Sequence, residues 1–414
     1  MPLFFLLIFA FLFIAAPIRG DGRLYTQLEL SHTAHDPTAQ GMLSPSLDEA
    51  KIHRMTAATN GKKNAKCEPY VRSKFTVQPI ALKKWWNVQQ KKDEAQGGLI
   101  RPLNGPRPYT GAFKPHVAPP PRFNAYSCCL PSDDNTSTSA LPKASELTDI
   151  NGIILSFLNS NQTELKFEAW TNTSVEARKQ LLQEYHKAGV SLWASVFGGD
   201  PWETPVTNRL DPATLGRLHG EIIYGLGFDG VDVDLEDFPA FDKHSHEVVG
   251  WTVDYVKALR KWLPAKEGFG LTAAPVAPWF TPNSTTYCHG AWGAIDKQIG
   301  KEIDYYNVQF YNQGVGSYDS CDTILFKSNV SNFEQTSVFE IAKNGVPLKK
   351  LVIGKPGWPS DAANGWVAPD VLSVCAKSAK DRGWSAGFSS WQYGHANSQW
   401  FRETRLWAFW NPHL

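Results

Sequence analysis

Eight short apolar runs recur from residue 122 onward, and several of the segments between them have the spacing of a helix. The runs cover residues 122–129, 152–158, 191–197, 230–236, 270–275, 305–311, 351–354 and 387–393. Short strands that alternate with helical segments indicate parallel β-α-β units. Eight such units in about 290 residues match the size of a (β/α)8 TIM barrel. The sequence therefore predicts an α/β fold in which residues 122–414 form one barrel.

The fourth run carries a row of carboxylates. Asp229, Asp232, Asp234 and Glu236 stand among Val, Gly and Leu, which are typical of a buried strand. Since side chains alternate along a strand, the last three are predicted to point the same way, whereas Asp229 lies where the strand begins. Active sites of such barrels form at the carboxyl ends of the strands. Glu236 is therefore expected at the mouth of the barrel, with Asp234 and Asp232 successively deeper.

Carboxylates packed this closely repel one another, and burial disfavours their charged forms. At least one pKa in the row is therefore predicted to be raised, and a carboxyl that keeps its proton near neutral pH is suited to general acid catalysis. A calcium or magnesium site is the alternative, because oxygen ligands suit both ions. Loops usually wrap such ions, whereas these acids lie on one strand. We expect acid catalysis with no metal and no cofactor.

The D-x-x-D-x-D-x-E spacing of the four acids resembles the signature of the family 18 glycoside hydrolases, the chitinases and their relatives. Further segments resemble single-domain members of the plant and fungal type: "LTAAP" their fifth strand, "YYNVQFYNQ" their sixth, "LVIGKPGWP" their seventh and Trp391 their eighth. The resemblance extends from residue 122 to about residue 395. It implies a barrel enzyme that cleaves sugar polymers.

The resemblance also implies a substrate-assisted retaining mechanism. Glu236 would protonate the glycosidic oxygen and then activate water, while Asp234 would hold the substrate's acetamido N–H, with Asp232 below it. Tyr311, also placed among the catalytic residues, would hold the acetamido oxygen with Gln309, and Trp391 would form the floor under the sugar. The residues predicted to bind substrate are Gln309, Trp391, Asn312, Tyr126, Phe157 and Trp279, and the structural motif residues are Asp229, Gly198 and Gly199.

One segment departs from the family pattern. The third-strand S-x-G-G motif reads "VFGG" here, with Val196 where serine is expected and Ser195 one position early. In the family, that serine supports the acid row from behind. The sequence therefore predicts that this support is missing and that the catalytic rate is lowered.

The N-terminus has the pattern of a signal peptide over residues 1–20. Its apolar run, residues 3–16, has the length of a signal-peptide core and is short for a membrane span. A basic segment before the run is missing, so an uncleaved anchor remains the alternative. No later stretch approaches 18 uninterrupted apolar residues. We expect a secreted protein with no transmembrane span after the signal, and five N-x-S/T sequons are compatible with glycosylation.

Six cysteines and no C-x-x-C spacing favour disulfides over a zinc site in an oxidising compartment. Six cysteines allow 15 pairings. The pair predicted here is Cys288 with Cys321, because both fall in loops around one predicted strand.

Residues 21–121 differ from the rest by weak apolar periodicity. Residues 51–100 carry 11 Lys or Arg against three acids, and a Pro/Gly-rich run follows. This composition favours a basic, irregular, solvated N-terminal extension of unknown role. The alternative is an anchor for an acidic surface, which "KKWW" at residues 83–86 would suit.

The leading prediction is a secreted chitinase that binds chitin or a chitooligosaccharide and acts as a monomer. A formal net charge of +1 gives no reason to expect nucleic acid as a partner. Two alternatives remain open: an endo-β-N-acetylglucosaminidase acting on N-glycans, and a chitin-binding lectin without turnover. Glu236 favours the enzyme, whereas Val196 favours the lectin.

Overall fold

The computed structural model describes residues 70–97, 114–128, 141–161, 165–199, 203–242, 246–283 and 291–409. All of them belong to one compact unit, Ser46–Leu414, and a second unit, Met1–Pro45, lies outside the described residues. The predicted signal peptide therefore lies outside them too, as do Cys67, Cys129 and Cys288. None of the helices within the described ranges is long and apolar enough to cross a membrane.

Eight parallel strands close into a barrel, in which each strand pairs with its neighbours in chain order and the first pairs with the last. They are β1 Arg122–Ser127, β2 Gly152–Leu158, β3 Ser191–Val196, β4 Gly230–Val233, β5 Gly270–Ala273, β6 Tyr305–Gln309, β7 Leu351–Pro356 and β8 Gly387–Trp391. Each predicted apolar run overlaps one of these strands, and β7 extends two residues beyond its run. The predicted (β/α)8 fold is confirmed.

The α-helices of the described residues lie around and between these strands. They are α1 Ile80–Ala95, α2 Leu165–Asn172, α3 Val175–Lys187, α4 Pro212–Leu226, α5 Phe238–Asp242, α6 His246–Trp262, α7 Trp292–Ile299, α8 Cys321–Leu325, α9 Val338–Lys343, α10 Pro369–Lys380 and α11 Ser398–Phe409. Local chemistry sets their starts. Asp211 caps α4 by accepting a hydrogen bond from the Thr214 amide at 2.7 Å, and Pro212 opens the helix where no amide donor is needed.

Asp229 fastens the end of the barrel where the strands begin. Its carboxylate is fully buried, and it accepts hydrogen bonds from the backbone amides of His116 and Leu192, both at 2.7 Å. The ring nitrogen Nε2 of His186 lies 2.9 Å away. Burial raises the pKa of Asp229, and these partners oppose the shift. Asp229 thus lies away from the other three acids, as its position in the strand predicts.

The expectation of an irregular, solvated segment is wrong for residues 70–97. Helix α1 buries Leu82 and Trp86 in the same apolar core as the barrel. Trp86 Nε1 donates to Glu221 Oε1 at 3.2 Å, and the buried Asp93 accepts a 2.6 Å hydrogen bond from Arg178. Buried polar groups paired in this way hold the helix against α3 and α4. This part of the predicted extension is integral to the folded unit.

The predicted Cys288–Cys321 pair is also wrong, because Cys321 forms a disulfide with Cys375. The two residues are 54 positions apart, but Cys321 opens α8 and Cys375 lies in α10. These helices pack together because they follow the neighbouring strands β6 and β7. Spatial adjacency in the barrel, rather than distance along the chain, sets the pairing.

Candidate active site

Asp232 lies deepest in the acid row and is enclosed by four donors from four different strands. Its carboxylate accepts hydrogen bonds from Tyr126 Oη at 2.9 Å, Ser195 Oγ at 3.1 Å, Thr272 Oγ1 at 2.7 Å and Asn307 Nδ2 at 3.2 Å. Burial raises the pKa of Asp232, and these hydrogen bonds oppose the shift. The expected raised pKa in the row therefore falls on its innermost member. Four donors around one carboxylate fix the inside of the barrel at this level.

Asp234 and Glu236 follow β4 and meet at a single amide. Gln309 Nε2 lies 3.0 Å from Asp234 Oδ1, 3.1 Å from Glu236 Oε1 and 2.8 Å from the carbonyl oxygen of Ala274. Asp234 is buried, whereas Glu236 is only partly covered and faces the open end. Both acids therefore face β6, as the alternation of side chains predicts. Gln309 bridges them, a contact that its predicted role in substrate binding did not include.

Asp237 fixes the backbone immediately after Glu236. Its buried carboxylate accepts hydrogen bonds from the backbone amides of Val206 and Thr207, both at 2.8 Å, and from Thr207 Oγ1 at 2.7 Å. Burial raises the pKa of Asp237, and these bonds oppose the shift. Sequence reasoning missed this residue, although its place next to Glu236 at the end of a strand was visible. The result is a rigid support for the outermost acid.

Gly198 and Gly199 leave room for an aromatic ring against the acid row. A Cβ atom at Gly198 would lie 2.2 Å from the Phe157 ring and 2.4 Å from Asp234 Oδ2, and one at Gly199 would lie 2.7 Å from the same ring. Phe157 in turn stacks on Trp391, with ring centroids 6.0 Å apart and planes inclined by 21°. The glycines therefore let Phe157 support Trp391 from below. Phe157 itself is only 2% exposed, so it reaches a substrate through Trp391 rather than by direct contact.

The predicted loss of serine support is wrong. Ser195, not Val196, faces the acid row and donates to Asp232. The pairing between β2 and β3 is irregular here, and the following Phe197 has a left-handed φ of 75°. The additional residue at this irregularity lies on β2, while β3 keeps regular pairing with β4 through Val196. The serine is present in space, although it is one position early in the sequence.

A small pocket, partly open to solvent, borders Asp234 of the acid row. Its lining residues are Tyr126, Asp234, Asn307, Gln309, Tyr311, Gly354, Lys355, Ser389 and Trp391. The lining therefore brings together Asp234 and four other residues that were predicted to act in catalysis or substrate binding: Tyr126, Gln309, Tyr311 and Trp391. Burial raises the pKa of Tyr126 well above its ordinary value, so its hydroxyl stays protonated and donates to Asp232.

Two predicted substrate-binding residues have other partners. Trp279 is 1% exposed, and its ring stacks on Phe241 at 3.8 Å, so the prediction that it forms a cleft wall is wrong. It lies in a short 3-10 turn just after β5, where its ring is buried. Asn312 has a left-handed φ of 63°, and its Oδ1 accepts a hydrogen bond from the Ala363 amide at 2.8 Å. This contact joins the loops that follow β6 and β7.

Lys355 was missed by sequence reasoning. It lies in β7, is fully buried and lines the cavity. The available signal was a lysine inside an otherwise apolar strand.

Within the described part of the chain, no group of three or more His, Cys, Asp or Glu side chains is arranged to hold a metal ion.

Comparisons with known proteins agree with this architecture. No protein-family model matches the chain. A chitinase from Enterococcus faecalis is 24% identical over 269 residues, which are 61% of this chain and 74% of that protein. Chitinase ChiA from Flavobacterium johnsoniae is 28% identical over 221 residues, 46% of this chain but only 14% of that much longer protein.

Among solved structures, a GH18 chitinase from Pseudoalteromonas aurantia superposes with a TM-score of 0.55 at 19% identity. The match covers 69% of this chain and 99% of that one. At this identity the match establishes the barrel fold. The chain is thus similar to chitinases in sequence and to a GH18 chitinase in fold.

Proposed function

We propose that the protein hydrolyses the β-1,4 linkages between N-acetylglucosamine units of chitin or chitooligosaccharides. The observation that carries this proposal is the Gln309 amide, which lies within 3.1 Å of both Asp234 and Glu236 and belongs to a residue that lines the pocket. Two carboxylates held side by side by one donor can divide their roles, because one can transfer a proton while the other stabilises positive charge.

In the first step, Glu236 gives its proton to the glycosidic oxygen, and the bond from that oxygen to the anomeric carbon breaks. The acetamido oxygen of the same sugar attacks the anomeric carbon, so no carboxylate of the protein forms a covalent bond. Asp234 accepts a hydrogen bond from the acetamido N–H and stabilises the cationic oxazolinium ring that results. Asp234 suits this role because it is buried and oriented by Gln309.

In the second step, the Glu236 carboxylate takes a proton from water, and the water oxygen attacks the anomeric carbon from the side that the leaving group vacated. The oxazolinium ring opens, and the product keeps the configuration of the substrate. Glu236 suits both steps because it is the row's outermost acid and is reached from solvent. Asp237 keeps its backbone in place throughout.

Two aromatic residues complete the proposed site. Trp391 offers a partly exposed ring, supported by Phe157, on which the apolar face of a sugar can stack. Tyr311 lines the same cavity, and its hydroxyl is proposed to donate to the acetamido oxygen as it becomes the nucleophile.

The test compares chitohexaose with an N-linked glycopeptide as substrates. We expect cleavage of chitohexaose, and NMR of the fresh products should show the β-anomer first, because the configuration is retained. Cleavage of the glycopeptide alone would replace this proposal with the endo-β-N-acetylglucosaminidase alternative. Binding of chitohexaose without cleavage would favour the lectin, although Ser195 removes the sequence observation that motivated it.

Secretion is part of the same proposal. The apolar run at residues 3–16 supports it, because its length suits a signal peptide. Expression of the full chain in a eukaryotic secretory host, followed by N-terminal sequencing of protein from the medium, tests it. A protein that stays with the membrane fraction would favour the uncleaved anchor.

A further inference from the structure

Lys355 is a fully buried lysine whose amino group donates hydrogen bonds to the backbone of one loop. Its Nζ donates to the carbonyl oxygen of Phe310 at 2.6 Å and to that of Tyr318 at 2.8 Å. These two carbonyls lie at the two ends of residues 310–318, the segment that follows β6 and is called here the β6 loop. Lys355 therefore holds both ends of the β6 loop with one ammonium group.

The β6 loop carries Tyr311. The peptide group whose carbonyl binds Lys355 is the one that links Phe310 to Tyr311, so its orientation sets the direction in which Tyr311 leaves the strand. Gly365, in the loop after β7, also lies so close that a Cβ atom there would be 2.7 Å from Tyr311 Cα. The Tyr311 backbone is thus confined between Lys355 and the loop after β7.

The burial of the Lys355 amino group is expected to lower the stability of the folded protein. Burial lowers its pKa to about 7, with only a partial opposing effect from Asp319. Burying an ammonium group without a carboxylate partner in hydrogen-bonding contact is unfavourable, and apolar replacements of buried charges are often neutral or stabilising. A residue retained for packing would be apolar here. Two directed hydrogen bonds are what a lysine adds at this position.

We propose that Lys355 is a positioning residue that acts through the Phe310–Tyr311 peptide to keep Tyr311 aimed into the cavity. The inference rests on the proposed function, because it assumes that Tyr311 contacts the acetamido group of the substrate. It assigns no proton transfer to Lys355, since Nζ is already committed to the two carbonyls.

Lys350 provides a matched control at the other end of the same strand. It precedes β7, and its Nζ also donates to two backbone carbonyls, those of Gly300 and Ile303. Burial lowers its pKa as well. Lys350 does not line the cavity, so its loss should affect stability without affecting the β6 loop.

The first test is hydrogen–deuterium exchange of the β6 loop in the parent, Lys355→Met and Lys350→Met. We expect exchange in residues 310–318 to be about tenfold faster in Lys355→Met, the effect of losing a hydrogen bond from a charged donor, and unchanged in Lys350→Met. Lys355→Gln makes the same comparison should the methionine variant fail to fold. Unchanged exchange in the loop, or failure of both Lys355 variants to fold, would overturn the proposal. This test needs no substrate, so its outcome is independent of whether chitin is cleaved.

The second test is a double-mutant cycle with Tyr311→Phe, measured by turnover of chitohexaose. Lys355→Met should lower kcat about tenfold with a smaller change in KM, and should have little further effect once the Tyr311 hydroxyl is absent. An equal loss in both backgrounds would show that Lys355 does not act through Tyr311. Lack of turnover in the parent would count against the proposed function, whereas the exchange result would still decide the role of Lys355.

Discussion

Ser195 Oγ lies 3.1 Å from Asp232 Oδ2, which places a serine behind the acid row despite its early position in the sequence. The neighbouring Val196 has the opposite parity on β3 and is fully buried in the core. Ser195 therefore supplies, one position early in the sequence, the hydroxyl that the motif predicts at residue 196.

Two substitutions test whether Ser195, rather than residue 196, supports Asp232. Ser195→Ala should lower the free energy of unfolding by about 1 kcal/mol and reduce kcat several-fold, because Asp232 loses one of its four donors. Val196→Ser should not raise kcat and should cost about 1–3 kcal/mol, because its hydroxyl would be buried in apolar surroundings. Urea denaturation and chitohexaose turnover measure both quantities. Higher turnover in Val196→Ser would contradict the assignment of Ser195.

Gly198→Ala should impair both folding and catalysis. The added Cβ would lie within 2.4 Å of Asp234 Oδ2 and closer still to the Phe157 ring, so one of them must move. We expect a loss of about 1–3 kcal/mol, as for other overpacked sites, and a fall in kcat/KM as Trp391 loses its support. Gly293→Ala in α7 is the control, since nothing lies within 4 Å of its Cβ position. That variant should match or exceed the parent in Tm, and similar behaviour of the two variants would refute the close-packing account.

Trp86→Ala should destabilise the barrel even though the residue lies outside the predicted domain. Its ring is buried against α4 and donates to Glu221, so its removal should cost about 3–5 kcal/mol. Val88→Ala on the same helix should change stability by less than about 0.5 kcal/mol, because Val88 is exposed. Chemical denaturation monitored by circular dichroism compares them. Equal stability of Trp86→Ala and the parent would mean that α1 is dispensable.

Because the pKa of Lys355 is lowered in the folded state, we predict that the free energy of unfolding rises with pH above neutrality. Its pKa is lowered to about 7 in the folded state from 10.5. Between these values the unfolded chain therefore binds a proton that the folded protein lacks, and raising the pH removes this advantage of the unfolded state. The free energy of unfolding should increase by up to about 1.4 kcal/mol per pH unit over this interval. Urea denaturation at pH 7, 8 and 9 should show this increase in the parent and a smaller one in Lys355→Met. Parallel curves for the two proteins would contradict the shifted pKa.

The barrel was predictable because eight apolar runs and the intervening helical patterns each report local structure. The acid row was predictable because alternate side chains of an extended segment share a face, and Asp234 and Glu236 keep this alternation just past the end of β4. Both signals lie within a few residues of sequence, so neither requires knowledge of tertiary contacts.

Helix α1 was not predictable in the same way. The stripe that it buries consists of Leu82, Trp86, Gln89 and Asp93, of which two are polar and are stabilised by partners far along the chain. Apolar periodicity cannot reveal such a stripe. The prediction for Trp279 was wrong for a related reason, since a short turn after β5 decides whether its ring faces the cavity or Phe241. Lys355 likewise depends on carbonyls presented by a distant loop.

The central claim is that Glu236 transfers the proton that cleaves a chitin-type linkage. The most direct measurement is chitohexaose turnover by the parent, by Glu236→Gln and by Glu403→Gln, which makes the same chemical change on the exposed face of α11. We predict that Glu236→Gln loses at least about 100-fold in kcat while it still binds chitohexaose and keeps the parent Tm, and that Glu403→Gln behaves as the parent. Turnover by Glu236→Gln at the parent rate, or a parent that binds chitohexaose without cleaving it, would contradict the account.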